Sequence, residues 1–273
     1  MLPWIEIGPL SVRLFGPVLV CAFLVGLVVA EARARRAGQP PGTMIAAAVP
    51  ILFGAWLGTR LVPMLVTPET VFSSWRGFLE GFFTTAGAWY GGFVGGVTGL
   101  LCFCRRRGIS PGALLDALAP AIPLAQAVGR GACFLAGCDH GRESQSVFAV
   151  SFTHPGSAVS EDLRGVPLHP VQLYEAAACL LLALLVLVVE RRVRAWRLPL
   201  RPGALFALYS ASYAIARVVL ETFRGDGERG LWLGGAVSTS QILATFVLAA
   251  VLVFALGTKR KVGARHPSTQ QGK

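Results

Sequence analysis

Seven apolar runs separated by polar connections dominate the chain, at residues 10–30, 44–66, 87–104, 112–128, 170–190, 203–222 and 236–257. Most reach or approach the roughly 20 residues that an α-helix needs to cross the hydrocarbon core of a bilayer. The pattern predicts an all-α integral membrane protein of seven transmembrane helices. Pro63, Pro120 and Pro123 fall inside these runs and are expected to interrupt or end them. Two connections are long. Residues 67–86 set Trp75, Phe78, Phe82 and Phe83 among Gly and Thr, which suits a short helix lying in the membrane interface. Residues 129–168 predict a small head, too short to fold alone. Within it, residues 146–152 alternate like a strand and lead into a His154-Pro-Gly turn. A membrane domain over 1–262, with the head at 129–168, and a disordered polar tail over 263–273 complete the expected organisation.

Composition agrees with that pattern. The 273 residues are 54% hydrophobic and 14% charged, and the mean hydropathy is +0.61, too apolar for a soluble domain of this size. The net charge of +11 would suit a nucleic-acid partner, but its placement argues against one. Arg33, Arg35 and Arg36 follow the first run, and Arg105 to Arg107 the third. Arg191, Arg192, Arg194, Arg197 and Arg201 follow the fifth; Lys259, Arg260, Lys261, Arg265 and Lys273 follow the seventh. If the runs alternate across a bilayer, these sixteen of the 25 basic residues share one side, opposed only by Glu31 and Glu190. The positive-inside rule makes that side cytoplasmic, with the N-terminus and the head outside and the C-terminus within. No nucleic-acid partner is expected. Residues 1–9 lack a basic segment, so the first run reads as a retained helix and not a cleaved signal. Trp4, Trp75, Trp89, Trp196 and Trp232 fall near run ends, as interfacial aromatics do. No fixed-period repeat is visible, which weighs against a transporter built from inverted halves.

Chemistry concentrates in four segments. Arg217 interrupts the apolar sixth run, where an ionised group costs about 2.5–3.5 kcal/mol even on lenient insertion scales. Arg217, Glu221 and Arg224, at i, i+4 and i+7, would share a helical face that points net positive charge at a buried anion. Gly129-Arg130 to Gly137-Cys138-Asp-His140-Gly141-Arg142 predicts a helix end opening into glycines, able to offer guanidinium forks and backbone N–H groups to a phosphate. His169-Pro-Val-Gln172-Leu-Tyr174-Glu175 opens the fifth run, with Gln172 and Glu175 on one face. Tyr90-Gly-Gly-Phe-Val-Gly-Gly-Val-Thr-Gly99 suits close helix packing, or a glycine surface open to a lipid. Cys21, Cys102, Cys104 and Cys179 read as small apolar residues of the runs. Cys133 and Cys138 leave three readings open: packing, a disulfide, or a metal site with His140.

These motifs together resemble the prolipoprotein diacylglyceryl transferase family. Gly129–Arg142 is similar to its signature, close to G-R-x-G-N-F-x-N-G-E-x-x-G. Residues 169–175 resemble its H-P-x-Q-L-Y-E, residues 217–224 its R-x-x-x-E-x-x-R, residues 90–96 its Gly-Gly-rich third span, and Ser238-Thr-Ser-Gln241 its last-span entry. Gly8-Pro-Leu and Leu14-Phe-Gly16 look like its first-span entry. The departures are Phe15 for a common Tyr, Tyr90 for His, Cys133 and Ala136 for Asn, and Cys138 for Glu. The resemblance implies a bacterial inner-membrane enzyme that needs no cofactor or metal. It would move the diacylglyceryl group of phosphatidylglycerol to the lipobox cysteine of a prolipoprotein, acting as a monomer among membrane lipids. Arg130 and Arg217, then Arg224, would clamp the phosphate, with Gly137, Gly141, Gln172, Tyr174 and Glu175 lining the lipid site. Tyr90, His140, His169 and Glu221 stay open as the group that takes the thiol proton. Two other functions remain: a phospholipid-binding relative without chemistry, and a thiol oxidoreductase using Cys133 and Cys138.

Overall fold

The computed structural model describes residues 4–7, 10–66, 74, 89–225, 231–232 and 237–263. Among them lie seven α-helices, one for each apolar run: α1 (Phe15–Arg36), α2 (Thr43–Val66), α3 (Trp89–Arg107), α4 (Pro111–Ala136), α5 (Val171–Ala195), α6 (Ala204–Glu221) and α7 (Thr239–Gly263). Five of these, α1, α2, α4, α5 and α6, hold stretches long and apolar enough to cross a membrane, and α7 carries a shorter apolar stretch, Ser240–Leu256. Glycine dilutes the hydropathy of α3. Val28, Val49, Leu181, Phe246 and Val253 are each more than 60% exposed, an apolar surface that suits lipid tails and not water. The chain is a multi-pass membrane protein.

Three features depart from the hydropathy pattern. The first run begins as a hairpin, β1 (Trp4–Ile7) against β2 (Leu10–Arg13), with Ile7 opposite Leu10. Leu10-Ser-Val-Arg13 alternates with period two, so it pairs as a strand and α1 starts only at Phe15. The Arg13 guanidinium stacks 4.9 Å from the centre of the Trp4 ring. Second, the prolines do not break the helices: α2 runs through Pro63, and α4 through Pro120 and Pro123 to Ala136. In a membrane helix the freed backbone groups can be re-satisfied by neighbours and local adjustment. Third, only Val150–Ser151 (β3) of the alternating segment forms a strand, paired with Pro167–Leu168 (β4). Ala149 N–H instead donates to Ser146 O in a turn that leaves Val147 and Phe148 exposed. The expected turn at His154 is present, with Gly156 N–H donating to His154 Nδ1. The interfacial segment with Trp75, Phe78, Phe82 and Phe83, the side chains of Trp89 and Trp232, and the tail over 264–273 lie outside the described residues.

The described chain forms two compact units. One comprises Leu27–Leu118 with Leu200–Ala204. Here α2 and α3 meet backbone to backbone. A Cβ on Gly54 or Gly58 would overlap the carbonyl of Gly95 or Gly91, and one on Gly99 would overlap that of Pro50. Small residues at i and i+4 on both helices permit this approach. The α3 glycines thus serve packing, and the surface that could have been open to lipid is filled by α2. Glu31, buried near the end of α1, accepts from Arg35 Nε at 2.8 Å and from Met44 N–H at 2.9 Å, neutralising an arginine while capping α2.

The other unit comprises Met1–Gly26, Ala119–Pro199 and Leu205–Lys273. Ala119, Val186, Leu205 and Tyr209 form its core between α4, α5 and α6, and Tyr209 satisfies its hydroxyl by donating to Gln126 Oε1 at 2.8 Å. The connection between α4 and α5 builds a second small core from Phe152, Val159 and Leu168. An edge-on contact between Phe134 and Phe152, centroids 6.0 Å apart, ties it to α4. Gly137 closes α4 in the left-handed region at φ 80°, and its N–H donates to Cys133 O at 2.8 Å. Gly95→Ala should force α2 and α3 apart and cost about 1–3 kcal/mol, read as an earlier thermal unfolding midpoint in detergent. Gly16→Ala, where an added methyl meets nothing within 4 Å, should cost nothing.

Candidate active site

Three arginines and three carboxylates in the second unit form one ionic chain. Arg217 Nη2 lies 2.8 Å from Glu221 Oε2, and Arg217 Nη1 lies 2.7 Å from Glu175 Oε1. The other Glu175 oxygen meets Arg130 Nε. Arg130 Nη1 continues to Asp139 Oδ2 at 2.7 Å, and Asp139 Oδ1 meets Arg224 Nη2 at 2.8 Å. Arg217 Nη2 also donates to Ser240 Oγ at 3.1 Å. The order is Glu221, Arg217, Glu175, Arg130, Asp139, Arg224, with the signs alternating. Glu175 and Glu221 side chains are only 3% exposed, whereas Asp139 is 33% exposed. In so apolar a setting each charge needs its neighbour.

Local sequence explains how distant segments meet here. Arg130 lies in the last turns of α4. Beyond Gly137 the chain turns through Asp139, itself left-handed at φ 55°, a conformation Asp tolerates better than most side chains. The following residues then run between two other segments. Gly141 N–H donates to His169 O, and His169 N–H to Arg142 O; on the other side Arg142 N–H donates to Phe223 O and Gly225 N–H to His140 O. A side chain at Gly141 would collide with His169 and Val171. Glu175 follows one turn into α5. At α7, Ser238 Oγ accepts from Gln241 N–H and Gln241 Oε1 accepts from Ser238 N–H, a capping box that sets Ser240 toward Arg217.

The structure brings Arg130, Arg217, Glu175, Glu221 and Arg224 together, but Arg224 not as expected. α6 ends at Glu221, and i to i+3 turns carry Thr222, Phe223 and Arg224 off the helix. Arg224 joins the chain because its backbone pairs with Gly141, not because of helical spacing. The N–H groups of Gly137 and Gly141 both bond within the protein, so these glycines shape the turn and do not offer donors to a ligand. Gln172, fully buried, donates to Cys138 O at 2.7 Å; its Oε1, like Glu221 Oε1, has no hydrogen-bond partner among the described residues. His169 and Tyr174 pack edge-on with each other and with Phe223. His140 is buried, its Nδ1 donating to Gly141 O. Tyr90 begins α3, but its side chain lies outside the described residues.

Two residues of this network, Asp139 and Ser240, were not singled out from the sequence. The signal for Asp139 was an acid two residues after a helix-ending glycine and between two arginines, in a run that reads first as a glycine turn. Both cysteines are free thiols. Cys133 Sγ lies 3.9 Å from Arg130 Nη1, and Cys138 Sγ faces Cys133 O at 3.8 Å. Asp139, and not His140, completes the group of metal-ligand types around them, but its two oxygens already hold guanidiniums. Hydrogen bonding to Cys133 and burial push the Cys138 thiol up, which keeps it protonated and poorly nucleophilic.

Burial works to raise the Asp139 carboxyl, but the Arg130 and Arg224 guanidiniums outweigh it and hold it below the usual carboxylate range. A carboxyl whose folded pKa is lowered adds stability above its unfolded value and loses it as pH falls through the folded one. The thermal midpoint should therefore be level near neutrality and fall below about pH 4, a fall that Asp139→Asn makes shallower. Glu175→Gln leaves Arg130 with Asp139 alone and Arg217 with Glu221 alone, puts one positive charge in excess, and should cost about 3–5 kcal/mol, measured as the loss of folded protein on heating in detergent.

Comparison with known proteins identifies the family. The family model described as prolipoprotein diacylglyceryl transferase matches residues 3–256. The chain is 27% identical over 264 residues to the phosphatidylglycerol–prolipoprotein diacylglyceryl transferase of Clostridium tetani, covering 94% of this chain and 97% of that one. It is 28% identical to the protein of that name from Synechococcus elongatus, over 94% of this chain and 88% of the relative. With the one from Streptomyces avermitilis it shares 30% identity, over 94% and 73%. With the match running nearly from end to end, the chain belongs to the prolipoprotein diacylglyceryl transferase family.

Proposed function

We propose that this protein transfers the diacylglyceryl group of phosphatidylglycerol to the cysteine thiol of a prolipoprotein lipobox, the first step in lipoprotein maturation. The observation that carries this is the convergence of Arg130 from α4 with Arg217 and Arg224 from α6 and the turn after it onto one chain of ion pairs. In the reaction the lipobox sulfur forms a bond to a glycerol carbon. The bond from that carbon to the phosphate oxygen breaks, and its electron pair leaves with glycerol phosphate. The thiol proton passes to a base or to the departing phosphate. The product is a thioether, and no oxidant or reductant is consumed.

What this step needs of the protein is stabilisation of charge building on the leaving phosphate. Fixed guanidiniums in a poorly solvated site do this without reorganising as the reaction proceeds. Arg130, Arg217 and Arg224 take that role. Glu175, held between two of them, fixes their spacing, and Glu221 and Ser240 orient Arg217. Gln172 secures the turn after α4 through Cys138 O, while Tyr174 and His169 wall the site with Phe223. Glu221, His169, His140 and Tyr90 remain the groups that could accept the thiol proton. The basic ends of α1, α3 and α5 support an inner-membrane orientation with the N-terminus periplasmic and the C-terminus cytoplasmic. The protein acts as a monomer.

The test is complementation of a strain depleted of its own transferase, with a gel shift of a lipobox peptide incubated with phosphatidylglycerol. Arg217→Ala should lower transfer by at least about 10²–10³-fold, whereas Cys133→Ser and Cys138→Ser should retain it. Loss of activity in both cysteine variants, with Arg217→Ala active, would replace the transferase with a thiol oxidoreductase. A wild-type protein that binds phosphatidylglycerol yet modifies no lipobox peptide would be a lipid-binding relative.

A further inference from the structure

Among the described residues the ionic chain is balanced, which raises a question about how it holds an anion. Three guanidiniums face three carboxylates, so the formal charge of these six groups is zero. A phosphodiester added to the intact chain would leave a net negative charge in a poorly solvated site, which is strongly unfavourable. One carboxylate has to give way.

The three acids are not equal candidates. Glu175 and Glu221 lie on helices, are 3% exposed, and are set by the packing of α5 and α6. Asp139 is 33% exposed, lies on a turn, and has a left-handed backbone. Its two oxygens each take one nitrogen of a different arginine, at 2.7 Å from Arg130 and 2.8 Å from Arg224. Two unesterified oxygens of a phosphodiester span a pair of guanidiniums in the same way.

Resting on the function proposed above, we propose that Asp139 occupies the phosphate subsite as an internal stand-in, and that the phosphodiester of the lipid displaces it from Arg130 and Arg224. The subsite then opens where Asp139 held Arg130 and Arg224, and Arg217, kept in place by Glu175 and Glu221, completes it as charge builds on the leaving phosphate. Displacement turns Asp139 toward solvent, and the negative charge of the lipid replaces the one that left. The balance of charge is restored at the moment the substrate is seated. A neutral diacylglycerol has nothing with which to displace Asp139.

A stand-in and a positioning residue predict opposite effects of removing the carboxylate. If Asp139 only held Arg130 and Arg224 in place, its loss would weaken lipid binding. A stand-in reduces apparent affinity by the fraction of time it is displaced. For a displaced state populated at a tenth or less, its removal tightens binding about tenfold or more. Asp139→Asn and Asp139→Gly both suit a left-handed backbone, so the second decides the matter if the first fails to fold. The experiment titrates dioctanoyl phosphatidylglycerol, and separately dioctanoylglycerol, into the purified full chain by calorimetry, with a melting curve of each variant.

The expected result is a lower midpoint without lipid, at least tenfold tighter binding of phosphatidylglycerol, and no change with dioctanoylglycerol. Unchanged or weaker phosphatidylglycerol binding in the variants, with the wild type binding and transferring normally, would overturn the stand-in and leave the transferase function intact. Equal tightening toward dioctanoylglycerol would also overturn it, since the gain would not involve phosphate. A wild-type protein that bound no phosphatidylglycerol would overturn both.

Discussion

The carboxylate of Glu175 is the contact on which the rest of the site depends. It sits 3% exposed between Arg130 and Arg217, one oxygen to each. An unpaired guanidinium in an apolar interior costs far more than a surface ion pair returns. Without the glutamate each arginine keeps only one carboxylate, Asp139 for Arg130 and Glu221 for Arg217, and the chain is left with an excess positive charge. One side chain thus fixes the separation of α4 and α6 at the level of the site. It does so from the second turn of α5, whose entry is held by the pairing of His169 with Gly141 and Arg142. The chemistry of one group and the path of three segments are a single constraint.

The two units use different physics for different tasks. Where no charge has to be buried, α2 and α3 approach through glycine, and dispersion between backbones supplies the attraction that the hydrophobic effect cannot supply between helices in lipid. Along its glycines such an interface leaves no room for a ligand. Where charges are buried, the helices carry larger side chains and the contacts are ionic and directional. The Gly-rich motif of α3 and the arginine motif of α6, each a conspicuous feature of the sequence, thus serve unlike ends.

All seven helices were legible as apolar runs, because in a membrane protein length and hydrophobicity report directly on the need to satisfy every backbone group within a helix. Arg130, Arg217, Glu175 and Glu221 were legible for the complementary reason: an ionisable residue in an apolar run has to be employed. Features set by local backbone geometry were not. The prolines of α4 predict a break that the membrane setting tolerates, and the strand at Leu10–Arg13 is too short to stand out from the apolar run that follows. Arg224 was found by a spacing rule that the end of α6 makes inapplicable. The contact survived because backbone pairing with Gly141 brings the same side chain to the same place. Asp139 escaped notice because its direction is set by a left-handed turn, and periodicity says nothing about turns.

That turn also bears on the departures from the family signature. Cys138 stands where the signature usually carries Glu, and Cys133 and Ala136 where it carries Asn, so polar groups are lost along this stretch. The loss is not uniform in effect. Cys138 still fixes the turn through its carbonyl, which accepts from Gln172, a role indifferent to the side chain. An acid is supplied by the next residue, whose positive φ lets its carboxylate reach both Arg130 and Arg224. Moving a carboxylate by one residue on a helix rotates it about a quarter of a turn away; on a left-handed turn the same move can return it to the site. Each of the three arginines keeps a carboxylate partner, while the nearby thiols are free and make only long contacts. The identity of the residue at 138 is therefore less informative about activity than the electrostatic balance of the chain of six that surrounds it.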